Sequence, residues 1–75
     1  MKLPSVSSDK LLKILVNKKG FKIIRQRGSH ISLHKINGKR NLLVVVPVKS
    51  RIKDGTLLSI LKQANLTKEE LLKLL

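Results

Sequence analysis

At Gly20 the hydrophobic period of this chain switches from that of a helix to that of a strand, and after Pro47 it switches back. Before Gly20, Leu11, Leu12, Ile14, Leu15 and Val16 recur at helical spacing. Ser7 or Ser8 can cap that segment, and Asp9 sits in its first turn, where a carboxylate meets the positive end of the helix dipole. Lys18 and Lys19 suit the negative end, and Gly20 suits the left-handed stop, which predicts a helix over 8–19.

Between the two switch points the pattern is β-branched and alternating. Phe21 to Arg27 reads as a first strand, broken or turned by Gly28-Ser29. His30 to Ile36 reads as a second, with Ile31 and Leu33 facing one way and His30, Ser32 and His34 the other. Asn37-Gly38 is a hairpin signal because both residues tolerate positive φ. Leu42 to Val46 is a third strand, apolar enough to be read as core throughout, with Pro47 limiting its ladder.

A basic loop, Lys49 to Lys53, leads to a second helix that Asp54 can cap and Asn65 ends. Its core face is Leu57, Ile60, Leu61 and Ala64. Thr67 with Glu70 makes a capping box for a short last helix. That helix carries Leu71, Leu72, Leu74 and Leu75, more leucine than one stripe can bury, so the excess is expected to meet a partner or to fray. The order predicts an α+β fold, α-β-β-β-α with a three-stranded antiparallel sheet, both main helices on one face and a short extra C-terminal helix. The other sheet face then shows His30, Ser32 and His34 to solvent.

Seventy-five residues suffice for a single domain, 1–75. The absence of cysteine excludes disulfides, Cys-ligated zinc and a thiol nucleophile, and it permits a reducing cytoplasm. The longest apolar run, Leu42 to Val46, is too short to span a membrane. With Phe21 the only aromatic residue, base-stacking platforms are nearly excluded.

Charge is the stronger clue. Lys and Arg total 17 against 4 Asp and Glu, a formal net charge of +13. Residues 10–53 hold thirteen of those cations and no acid, whereas Lys2, Lys62, Lys68 and Lys73 are balanced by the four carboxylates. Such a field attracts phosphate backbones, so nucleic acid is the expected partner.

The element order is that of double-stranded-RNA-binding domains, and the residues narrow the match. Gly20-Phe21, the run from Arg25 to His30 across the hairpin, Val46-Pro47, Gly55-Thr56-Leu57 and the run from Ile60 to Ala64 resemble the HicA family of toxins. The resemblance covers about Ser7 to Leu66. It implies a cytoplasmic, metal-independent ribonuclease that needs no cofactor, cleaves mRNA and is held inactive by a HicB-type antitoxin. It also implies that the histidine of the Gly-Ser-His motif, His30, is catalytic. Many members carry a histidine two residues after the strand-three proline, where this chain has Lys49.

RNA cleavage of this kind removes a proton from a 2′-OH, which then attacks the adjacent phosphorus. Histidine suits the base role because its unperturbed pKa is about 6.5. His30 is therefore expected to be the general base, with Lys49, Arg27 and Arg25 as phosphate clamps. Gly28 answers to the hairpin and also leaves room for a ribose-phosphate beside His30, and Ser29 is expected to hydrogen-bond within the turn. His34, four residues along the same strand and so about 13 Å away, is too distant to share a phosphate with His30. With four scattered carboxylates and no third ligand, a zinc site is not expected. The alternative reading is a non-catalytic double-stranded-RNA-binding module.

Overall fold

The computed structural model describes residues 3–75. Helix α1 (Ser8–Lys13) runs directly into a π-helical turn (Ile14–Lys18) and is followed by β1 (Lys22–Arg27), β2 (His30–Asn37) and β3 (Arg40–Pro47). Helices α2 (Asp54–Gln63) and α3 (Lys68–Leu74) complete the chain. The strands pair antiparallel in the order β1-β2-β3, which makes β2 central and leaves β1 and β3 as edges. The fold is α+β with a three-stranded antiparallel sheet, as the sequence predicts.

The first helix differs from a plain α-helix. Ser7 is its cap, accepting from the Lys10 N–H, which frees Ser8 for another task. The Lys19 N–H reaches back to the Ile14 carbonyl, and the Phe21 N–H to the Leu15 carbonyl at 2.9 Å. This widened last turn keeps Ile14 and Leu15 buried while turning Val16 outward. Gly20 follows with φ +76, a left-handed stop that delivers Phe21 into the core. Lys35 Nζ lies 5.7 Å from the Phe21 ring centroid, so a half-buried lysine roofs that ring.

Both hairpins use two-residue turns opened by a glycine. Gly28-Ser29 joins β1 to β2 and Gly38-Lys39 joins β2 to β3. Gly28 (φ +54) and Gly38 (φ +65) are left-handed at the first position. Asn37-Gly38 is thus not the turn pair: Asn37 stays in β2, opposite Arg40. One turn glycine suffices when only the first position needs positive φ, as in type II′ turns.

Strand β3 corrects the expectation of a fully buried run. Leu42, Val44 and Val46 are buried, but Leu43 is 55% and Val45 37% exposed. The helices cover one face of the sheet only, so β3 buries every second residue and leaves the others open. Ile31 and Leu33 of β2 join the same buried layer, which packs under Leu11, Leu15, Leu57, Ile60 and Leu61. Burying a leucine or isoleucine of this layer contributes roughly 1.5–3 kcal/mol each.

The loops contribute to the core as well. Val6 and Ile52 are almost fully buried, and the Ile52 N–H donates to the Val6 carbonyl at 2.9 Å. Asp54 is the first residue of α2, not its cap. Lys53 occupies the cap position without a side-chain bond, so the Asp54 carboxylate acts on the helix dipole alone. The helix ends at Ala64 with Asn65 left-handed (φ +58). The Leu66 N–H reaches the Leu61 carbonyl and the Asn65 N–H the Lys62 carbonyl, a Schellman ending.

Thr67 and Glu70 form the expected capping box of α3. Leu71 is buried and Leu74 packs on the core, while Leu72 and Leu75 are each 40% exposed. All four carboxylates of the chain fall in the first turn of a helix: Asp9 in α1, Asp54 in α2, Glu69 and Glu70 in α3.

Candidate active site

His30 is the first residue of β2, directly after the Gly28-Ser29 turn, and its side chain is exposed. The sheet register sets Arg27 of β1 and Pro47 of β3 on either side of it. The next pairing on this solvent face joins Arg25 to Ser32, and Ser32 to Val45. Pro47 and Val45 share a parity on β3. The Val45 N–H points out of the sheet, so the N–H that Pro47 lacks would have pointed out as well, and no ladder bond is lost.

Lys49 follows Pro47 by two residues and its backbone is fixed on both sides. The Val48 N–H donates to the Ser29 carbonyl at 2.7 Å, tying the loop to the turn that carries His30. The Ser8 N–H and the Ser8 hydroxyl both donate to the Lys49 carbonyl, and the Lys49 N–H donates to Ser8 Oγ, each at 3.0 Å. Ser8 is the one buried polar residue among the described residues, and these bonds satisfy its hydroxyl.

An open groove of about 540 Å³ results. Ser29, His30, Pro47 and Lys49 form one wall. Helix α2 supplies the other through Thr56, Ser59 and Gln63, with Lys53 just before its first turn. Val45 and Ile60 lie between them. Helix α2 meets the outer edge of β3 there, because Gln63 Oε1 accepts from the Val45 N–H at 3.1 Å.

The structure therefore brings together three of the residues expected from sequence: His30, Ser29 and Lys49. Arg25 and Arg27 are exposed on the neighbouring strand, outside the groove but on the side of the sheet where His30 stands. A Cβ at Gly28 would meet nothing within 4 Å, so its φ, not crowding, accounts for the glycine. His34 is apart from this site and its Nε2 donates to Asn41 Oδ1 at 3.3 Å.

The sequence alone gives no site role to Lys53, Thr56, Ser59 or Gln63, nor to Ser8 beyond a possible helix cap. The signal for Thr56, Ser59 and Gln63 is a polar line at positions 56, 59 and 63, beside the apolar stripe of α2. It identifies an exposed flank of the helix, and only the packing of that flank on the β3 edge makes it part of a groove.

Electrostatics divide the molecule. The Glu70 carboxyl is held below the usual carboxylate range, first by the backbone N–H of Thr67 and then by the Lys19 ammonium at 3.4 Å. That is the one salt bridge among the described residues, and it lies at the α1–α3 end, not at the groove. No group of three or more His, Cys, Asp or Glu side chains gathers around one point among the described residues. No helix among them is long and apolar enough to cross a membrane.

Fold and site define a small, strongly basic α+β protein that presents an imidazole and an ammonium in one open groove. The family of the HicA toxin of bacterial toxin-antitoxin matches residues 8–66. The chain belongs to this HicA toxin family. Neither the curated proteins nor the solved structures include one that matches it.

Proposed function

We propose that this toxin is a cytoplasmic, metal-independent endoribonuclease that cleaves mRNA and is neutralised by a HicB-type antitoxin. The observation that carries the reading is the exposed position of His30 beside Lys49 in a groove open to a polymer strand. His30 takes the proton of a ribose 2′-OH, and O2′ attacks the adjacent phosphorus. The P–O5′ bond breaks, the 5′ oxygen takes a proton from water, and the strand is left with a 2′,3′-cyclic phosphate. Lys49 holds the charge that gathers on the phosphoryl oxygens. Arg25 and Arg27 receive the backbone beyond the groove, and Ser29 and Gly28 form the turn that presents the imidazole.

Incubation with RNA in EDTA tests this. The wild-type chain is expected to cut and to leave cyclic phosphate ends. His30→Ala is expected to keep the fold and the RNA affinity and to lose cutting, because an exposed side chain holds no core together. Cutting by His30→Ala, or loss of wild-type cutting on metal removal, overturns the proposal. Tight binding of duplex RNA without any cutting selects a double-stranded-RNA-binding module instead.

A further inference from the structure

Strand β1 changes parity along its length. Arg27 stands opposite His30 and Arg25 opposite Ser32, but between Ile23 and Arg25 the register shifts, and Lys22 comes to stand opposite His34. Cross-strand partners share a face of the sheet. Uninterrupted alternation would set Ile23 opposite His34 and Lys22 on the covered side, opposite Lys35. The extra residue reverses this. Lys22 joins Arg25 and Arg27 in one cationic column on the solvent side of the sheet. A bulge interrupts the ladder, and what it achieves here is to re-aim an ammonium.

The ammonium comes to a histidine. Lys22 and His34 line one open groove of about 370 Å³ with Gly20, Lys35 and Ile36, and none of these residues is acidic. His34 Nε2 is engaged by Asn41 Oδ1 at 3.3 Å, which leaves Nδ1 for another partner. A bare Nδ1 accepts from a hydroxyl, and a protonated one donates to a phosphate oxygen. The backbone of RNA offers both groups in every nucleotide. Four residues of β2 separate His34 from His30, about 13 Å.

We propose that Lys22 and His34 form a distal ribose-phosphate subsite that grips the RNA strand a few nucleotides from the bond His30 addresses. Lys22 takes the phosphate, and His34 takes the phosphate or the 2′-OH of the same nucleotide. Arg25 and Arg27 bridge the interval along β1. At about 3.4 Å per stacked nucleotide the separation is roughly four nucleotides, and fewer in an extended strand. The inference rests on the reading of His30 as the cutting residue.

The experiment uses the full chain carrying His30→Ala, so that RNA stays intact, and uridine oligonucleotides of increasing length. Affinity is expected to rise with length until one strand covers both positions, then to level off. Lys22→Gln with His34→Ala is expected to bring that plateau to a shorter strand. Lys22→Gln alone is expected to weaken binding of the long strand about threefold. It is also expected to flatten the dependence of log K on log salt by about 0.7, one phosphate contact. Lys22→Arg is expected to restore both. Lys62→Gln removes the same charge from α2, away from the sheet, and is expected to leave slope and plateau as they were. A plateau and slope that the Lys22 and His34 variants leave unchanged, or equal flattening by Lys62→Gln, overturns the subsite. Failure of the ribonuclease reading looks different: all RNA binding disappears, or His30→Ala still cuts.

Discussion

Ser8 and Lys49, 41 residues apart, are joined by three hydrogen bonds of 3.0 Å, two from Ser8 to the Lys49 carbonyl and one back to Ser8 Oγ. The start of the first helix therefore fixes the loop that brings an ammonium to the groove.

Ser8→Ala is expected to destabilise the fold by about 1–3 kcal/mol, because the Lys49 N–H loses its partner next to a buried site. Urea denaturation measures this through the midpoint. An unchanged midpoint contradicts the anchoring role.

Lys49→Gln and Arg27→Gln are expected to weaken RNA binding without changing base preference. Each is expected to flatten the dependence of log K on log salt by about 0.7, the slope for one phosphate contact on a single strand. A salt titration that matches wild type removes that residue from the backbone contacts.

Gly28→Ala is expected to cost about 1–2 kcal/mol through its left-handed φ of +54. Space is not the cause, since nothing stands within 4 Å of the added carbon. Gly28→Asn is expected to cost less, because asparagine tolerates that region. Equal losses for the two variants in thermal denaturation contradict the backbone explanation.

Glu70 gives stability a sign with pH. Its carboxyl is held below the unfolded value by the Thr67 N–H and then by Lys19. The folded state therefore binds the proton less readily than the unfolded state. The contribution is present above the unfolded pKa and is lost as pH falls through the folded one. Wild-type thermal stability is expected to drop more steeply with acidification than that of Glu70→Gln. Parallel curves contradict the assignment.

The fold was legible wherever local chemistry and packing agree. Gly20, the alternation around Ile31 and Leu33, and the Thr67–Glu70 box each declare one structure. Val45 and Leu43 were misread because an apolar run does not say whether one or both faces of its strand are covered; the helices, packed on a single face, decide that. The π-helical turn was hidden for a similar reason, since its hydrogen bonds follow from where Leu15 and Phe21 must both be buried. At the site, the Gly28-Ser29-His30 run stands out in sequence, while Ser8, Ser59 and Gln63 are ordinary polar residues until distant segments meet them.

The four carboxylates are all committed to helix starts, and one of them also answers Lys19. None is left to quench the cations along the solvent side of the sheet. Among the described residues no carboxylate forms a salt bridge with a cation of the sheet, so the charge of that surface is balanced by anions from outside the fold.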